Sequence, residues 1–272
     1  MFTQPSRIRI PHLAERKRCG PKISMLTAYD ATMARLFDRA GIDVLLVGDS
    51  LGTVILGEET TLTVTMDAMV HHTRAVVKGA SRALVVADMP FLSYQVDLAE
   101  TLRNAGRLLQ EGGAAAVKLE GGAEVAETVK RLVGIGIPVM GHVGLTPQSF
   151  HQLGGFRAVG KSDAEAEAVR EGARALQDAG AFAVVLESVP AELAAEITNE
   201  LAIPTIGIGA GPECDGQVLV SYDVFGLFDQ FVPRFVKQYA QLGEQMVEAA
   251  KHYIEDVRAG HFPAEEHSIH KK

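Results

Sequence analysis

SDAEAEAVREGARALQDAGAFAVVLE, residues 162–187, reads as a helix delivered directly onto a strand. Ser162 and Glu165 have the spacing of a capping box, in which a hydroxyl and a carboxylate satisfy the unpaired N–H groups of a first turn. Helical periodicity runs from there to Ala179. Ala183 to Glu187 then form a short run rich in β-branched residues. This run is apolar on both faces, as a parallel strand is when helices cover one side and a packed interior fills the other.

The same unit recurs along the chain. Strands are expected at Ile23 to Thr27, Val44 to Gly48, Leu84 to Met89, Ala116 to Glu120, Val139 to Val143, Ala183 to Glu187, Thr205 to Ile208 and Gln217 to Ser221. Asp97 with Glu100 offers a second capping box. A doubly wound open sheet has the same local signature. Eight βα units without a linker or a break in composition favour a closed (β/α)8 TIM barrel, as does a length of 272 residues, close to the size of one such barrel. A single domain over 1–272 is expected, with an N-terminal extension, a helix from about residue 233 to Gly260 and a short polar tail.

Composition narrows the function. Lys plus Arg number 26 against 34 Asp plus Glu, so the net charge is −8, and no basic block offers a nucleic-acid footprint. Cys19 and Cys214 form neither a disulfide framework nor a CxxC pair, which fits a reducing cytoplasm. The first twenty residues mix apolar and basic side chains without a signal-peptide core, and the chain is expected to start near Met1. Leu132 to Phe156 lacks charge, but Pro138, Pro147, His142 and Gln148 interrupt any membrane helix.

In a barrel of this kind the chemistry sits at the C-terminal ends of the strands. Five consecutive strand ends carry ionisable groups: Asp49-Ser50, Asp88, Lys118 with Glu120, His142, and Glu187. Lys118 and Glu120 lie two apart on a strand and so share a face, toward the barrel mouth. Asp49, Asp88 and Glu120 would converge as carboxylates that need a cation. Oxygen donors without Cys or paired His favour Mg²⁺ or Mn²⁺ over Zn²⁺. The plainer alternative is that each acid caps the helix after its strand. Glu187, leaving an apolar strand, suits general acid–base work if desolvation raises its pKa. His142 reads as a base, a substrate contact or a structural group. Gly207-Ile-Gly209-Ala-Gly211 resembles a phosphate loop in glycine content but departs from GxGxxG spacing, and a tight turn explains it equally well. His267 and His270, in a polar terminal segment, read as solvated.

Taken in order, MLTAYD (25–30), LLVGDSLG (45–52), ADMPF (87–91), VKLEGG (117–122), GHVGLTPQS (141–149), LESVP (186–190), IPTIGIGAG (203–211) and EEHS (265–268) closely resemble the ketopantoate hydroxymethyltransferase family. The resemblance spans nearly the whole chain. It implies a barrel of the phosphoenolpyruvate/pyruvate group that transfers a hydroxymethyl group from 5,10-methylenetetrahydrofolate to 3-methyl-2-oxobutanoate, the first committed step of pantothenate synthesis. It puts one Mg²⁺ per subunit on Asp49, Asp88 and Glu120, keto-acid contacts on Asp49, Ser50, Asp88 and Lys118, and the catalytic base on Glu187. It also implies a cytosolic homodecamer. Chelation of the keto acid by Mg²⁺ would stabilise the enolate formed at C3. Two rivals share the site: another Mg²⁺-dependent keto-acid aldolase or lyase of the same barrel group, and a non-catalytic ligand-binding barrel.

Overall fold

The computed structural model describes residues 6–155 and 157–271. The first five residues of the expected N-terminal extension, Phe156 and Lys272 lie outside the described residues. Two compact units emerge, Met1–Val220 and Ser221–Lys272.

In the first unit, eight parallel strands close into a barrel in sequence order: β1 Ile23–Thr27, β2 Val44–Val47, β3 Leu84–Asp88, β4 Ala116–Lys118, β5 Val139–Gly144, β6 Ala183–Glu187, β7 Thr205–Ile208 and β8 Gly216–Leu219. β8 pairs with β1 to complete the ring. Each expected strand is present. The differences are confined to strand ends, with β4 stopping at Lys118 and β8 shifted by one to two residues.

The helix at Asp163–Asp178 buries Val169, Gly172, Ala173 and Leu176, one stripe at helical spacing. Ser162 caps it by accepting from the Glu165 N–H. The reciprocal half of the expected box differs. Glu165 Oε2 instead accepts from the Gly160 and Lys161 N–H groups, which fastens the loop ahead of the cap.

The barrel interior follows the period-two rule. Ile23, Met25, Val44, Leu46, Leu84, Val86, Ala116, Met140, Ala183, Val185, Ile206 and Val218 form one buried cluster. Ile8 and Leu13 join it from the helix Ile10–Cys19 and the segment before it, so the N-terminal end of the barrel is plugged. Full burial of a leucine such as Leu13 contributes about 1.5–3 kcal/mol. The plug is fastened by charge. Arg16 makes a two-pronged pair with Asp43 at 2.5 and 2.6 Å. Arg82 reaches the same acid at 3.0 Å, and Lys17 pairs with Asp215 at 2.8 Å.

The second unit contains a short helix at Ser221–Val224, an irregular run, a helix at Leu242–Ala259 and a 3₁₀ turn at Glu265–His267. The long helix therefore begins at 242 rather than near 233. His267 and His270 are exposed, beside Glu266 and Glu265. No described helix is long and apolar enough to cross a membrane.

Candidate active site

Moving two residues along a strand from an inward-facing core position preserves the face. From Val86 this step reaches Asp88, from Ala116 Lys118, from Met140 His142, and from Val185 Glu187. One step beyond Lys118 is Glu120. The same alternation that fills the barrel with aliphatic side chains thus ends, at the C-terminal rim, in a layer of ionisable ones. Asp49, Asp88, Lys118, Glu120 and His142 are all buried. Glu187 is more open, its side chain 14% exposed.

Asp49 reaches the site through a turn. Its backbone N–H donates to Asp88 Oδ2 at 3.1 Å. Gly48 makes room for that approach, because a Cβ there would stand 2.7 Å from Ser50 Oγ and 3.5 Å from Asp88 Oδ2. Ser50 Oγ is 2.9 Å from the Tyr29 hydroxyl, at the edge of the acid cluster.

Lys118 Nζ lies 2.8 Å from Asp88 Oδ1 and 3.9 Å from Glu120 Oε1. His142 Nδ1 is 3.6 Å from Glu120 Oε1, and Nε2 is 3.1 Å from Glu187 Oε2. The imidazole thus touches an acid on each side. Lys118 Nζ is also 3.2 Å from Nδ1, so a proton on Nδ1 competes with the ammonium for that space. Burial and the Lys118 charge push the His142 pKa down, but the contacts to Glu120 and Glu187 outweigh them and bring it up to about 9. Burial opposes the charge on Lys118 too, yet Asp88, Glu120 and Asp49 hold its pKa above the ordinary lysine value.

The acids respond unequally. Burial, then the negative charges of Glu120 and Asp88, push Asp49 well above the usual carboxylate range. Burial also raises Asp88, against the pull of Lys118. Glu120 goes the other way, because His142, Lys118 and the Gln148 N–H together outweigh its burial. Four carboxyl groups thus face two basic side chains, and Asp49 bears the excess. An added divalent cation would relieve it, and hard oxygen donors fit Mg²⁺ or Mn²⁺. Among the described residues no three acidic, His or Cys side chains are already drawn up as a metal cage. Lys118 stands close to two of the acids instead.

Two residues without a role from sequence complete the cluster. Gln148 is buried and donates from Nε2 to Asp49 Oδ2 and from its backbone N–H to Glu120 Oε2, each at 2.9 Å. The Tyr94 hydroxyl lies 2.8 Å from Gln148 Oε1 and 2.9 Å from the Glu120 carbonyl oxygen. The only sequence signal for Gln148 was its place in GHVGLTPQS, shortly after a strand that ends in the site. Gly207 lies within β7, and the chain bends after it, with Gly209 and Gly211 at positive φ and Gly211 so close to Ala191 that a Cβ would stand 2.5 Å from the Ala191 methyl.

A closed parallel barrel with a buried acid–lysine–histidine cluster at the C-terminal ends of its strands has the layout of a TIM-barrel enzyme. Solved structures of that class share the fold. Phosphonopyruvate hydrolase, solved with oxalate and Mg²⁺, is similar with a TM-score of 0.63 at 12% identity, covering 96% of this chain and 93% of its own. 2,3-Dimethylmalate lyase is similar with a TM-score of 0.59 at 16% identity, covering 99% and 93%. The chain belongs to the ketopantoate hydroxymethyltransferase family, whose model matches residues 7–265. It is 59% identical over 268 residues to the 3-methyl-2-oxobutanoate hydroxymethyltransferase of Moorella thermoacetica, covering 98% of this chain and all of that one. It is 60% identical over 253 residues to the same enzyme of Syntrophus aciditrophicus, covering 93% of each. The chain is an enzyme, a hydroxymethyltransferase of the ketopantoate-forming kind.

Proposed function

We propose that this enzyme transfers a hydroxymethyl group from 5,10-methylenetetrahydrofolate to 3-methyl-2-oxobutanoate and so makes ketopantoate for pantothenate synthesis. The observation that carries this reading is the approach of Glu187 to His142 beside the Asp49–Asp88–Glu120–Lys118 cluster. Asp49, Asp88 and Glu120 would hold one Mg²⁺ per subunit. When bound, the ion supplies Lewis-acid polarisation of the keto-acid oxygens. Lys118 faces the same acids as a fixed point charge and balances the substrate carboxylate. Ser50 and His142 line the keto-acid position. Glu187, the most open of the acids, accepts the C3 proton. The resulting carbanion equivalent at C3 forms its bond to the one-carbon unit of the folate, water supplies the hydroxyl oxygen of the new CH₂OH group, and the two folate nitrogens that shared the methylene take up the C3 proton and the remaining proton of that water as they leave.

Incubation of the enzyme, Mg²⁺ and 3-methyl-2-oxobutanoate with and without methylenetetrahydrofolate tests this directly. Ketopantoate is expected only with the folate, and proton exchange at C3 without it. Ketopantoate from another one-carbon source alone would overturn the folate assignment, and cleavage of a keto acid instead of condensation would favour an aldolase or lyase.

The protein is further proposed to act in the cytoplasm as a closed homo-oligomer, a decamer. Support comes from the helix Leu242–Ala259, which exposes Met246, Val247, Tyr253, Ile254 and Val257. Apolar side chains gathered in this way mark association surfaces. Sedimentation at micromolar concentration is expected to show a large assembly rather than a 29.1 kDa monomer.

A further inference from the structure

Gln148 lies 99 residues from Asp49 and 28 from Glu120, yet it meets both. It sits in the 3₁₀ turn Pro147–Ser149, which follows β5 into the barrel mouth. The orientation of its amide is fixed by its surroundings. One end faces Asp49 Oδ2 and the Met89 carbonyl oxygen, both acceptors, each at 2.9 Å, so this end is the NH₂. The other faces the Tyr94 hydroxyl at 2.8 Å and the Gln95 amide at 3.2 Å, which donate to the carbonyl.

We infer that Gln148 is a positioning residue that clamps Asp49 Oδ2 and Glu120 Oε2 and so sets how these two acids are presented to a divalent cation, while Glu120 Oε1 lies toward Lys118 and His142. The inference rests on the metal reading above and deepens it. The clamp uses two different donors of one residue, its side-chain NH₂ for Asp49 and its backbone N–H for Glu120. The two carboxylates therefore cannot turn independently. Tyr94 secures the arrangement from behind, since its hydroxyl also meets the Glu120 backbone, accepting from that N–H at 3.2 Å. Partners of this kind, behind metal ligands, set ligand orientation, and their loss costs about 10–100-fold in metal affinity.

The test measures Mn²⁺ affinity by the electron paramagnetic resonance of free Mn²⁺, with melting temperature recorded in EDTA. Gln148→Met keeps length and bulk but removes the side-chain donor. Its Mn²⁺ Kd is expected to rise about 10–100-fold. Tyr94→Phe, which leaves Gln148 in place but frees its carbonyl end, is expected to weaken Mn²⁺ several-fold. Wild-type Mn²⁺ affinity in folded Gln148→Met overturns the inference, whatever happens to its melting temperature. Should that variant not fold, Tyr94→Phe decides, and wild-type affinity there overturns it equally. A wild-type chain that binds no Mn²⁺ overturns the metal reading and the clamp together, whereas normal wild-type binding with unaltered variants overturns the clamp alone.

Discussion

His142 Nε2 lies 3.1 Å from Glu187 Oε2, across the seam between β5 and β6 where His142 pairs with Val185 and Gly144 with Glu187. The imidazole is buried and the carboxylate is at the rim, so the two side chains meet at the edge of the buried cluster. If Glu187 accepts the C3 proton, Glu187→Gln keeps its shape but not its basicity, and kcat should fall about 10²- to 10⁴-fold with little change in keto-acid KM. Deuterium exchange at C3 of 3-methyl-2-oxobutanoate, followed by NMR without folate, should vanish with it. Wild-type exchange in that variant would move the base elsewhere.

His142→Gln should leave the base in place but poorly aimed. A loss of about 10²-fold in kcat is expected from misplacement of this kind. A larger loss of C3 exchange in His142→Gln than in Glu187→Gln would make the imidazole the base.

Asp49 carries a raised pKa, which fixes the sign of a stability prediction. A carboxyl group whose folded pKa exceeds its unfolded value costs nothing below the unfolded value near 4 and destabilises the fold progressively as pH rises through the window above it. In EDTA, Asp49→Asn should therefore melt at or above the wild-type temperature at pH 7, with the difference vanishing near pH 4. Mn²⁺ affinity should fall sharply in the same variant. A variant that melts lower yet binds Mn²⁺ normally would make Asp49 a structural acid.

Asp38 is the opposite case. Burial opposes its charge, but the Ser81 hydroxyl and the N–H groups of Ser81, Arg82 and Ala83 all donate to it and hold its pKa below the usual value. Its contribution is present above the unfolded pKa near 4 and is lost as pH falls through the lowered folded value. Asp38→Ala should cost about 1–3 kcal/mol at pH 7 by stranding these donors. Urea denaturation should show the gap narrowing toward pH 2–3, and a gap independent of pH would assign the loss to packing.

Asp43 joins two guanidinium groups beneath the barrel, those of Arg16 and Arg82. Asp43→Ala removes the charge that both oppose, and about 3–5 kcal/mol of stability should go with it. Denaturation of Arg82→Met, which leaves the two-pronged Arg16 pair intact, should show a smaller loss.

The barrel was legible because its strands are uninterrupted apolar runs that stop at ionisable residues, and the period-two rule carries Val86 to Asp88 and Met140 to His142 without further information. The C-terminal region misled for a physical reason. Phe231, Phe235 and Tyr239 recur every four residues and imitate a helix, but in this unit they are exposed side chains on irregular backbone around Pro233. Gln148 was hidden differently. A neutral amide in a loop carries no mark of its role, and only closure of the barrel brings it to Asp49.

The plug formed by Ile8 and Leu13 packs against the barrel core at the end away from Asp88, Lys118, His142 and Glu187. Among the described residues the floor of the barrel is thus built for support and the opposite rim for chemistry, so substitutions at Ile8 or Leu13 are expected to lower the melting temperature while leaving the rim layer of charged side chains in place.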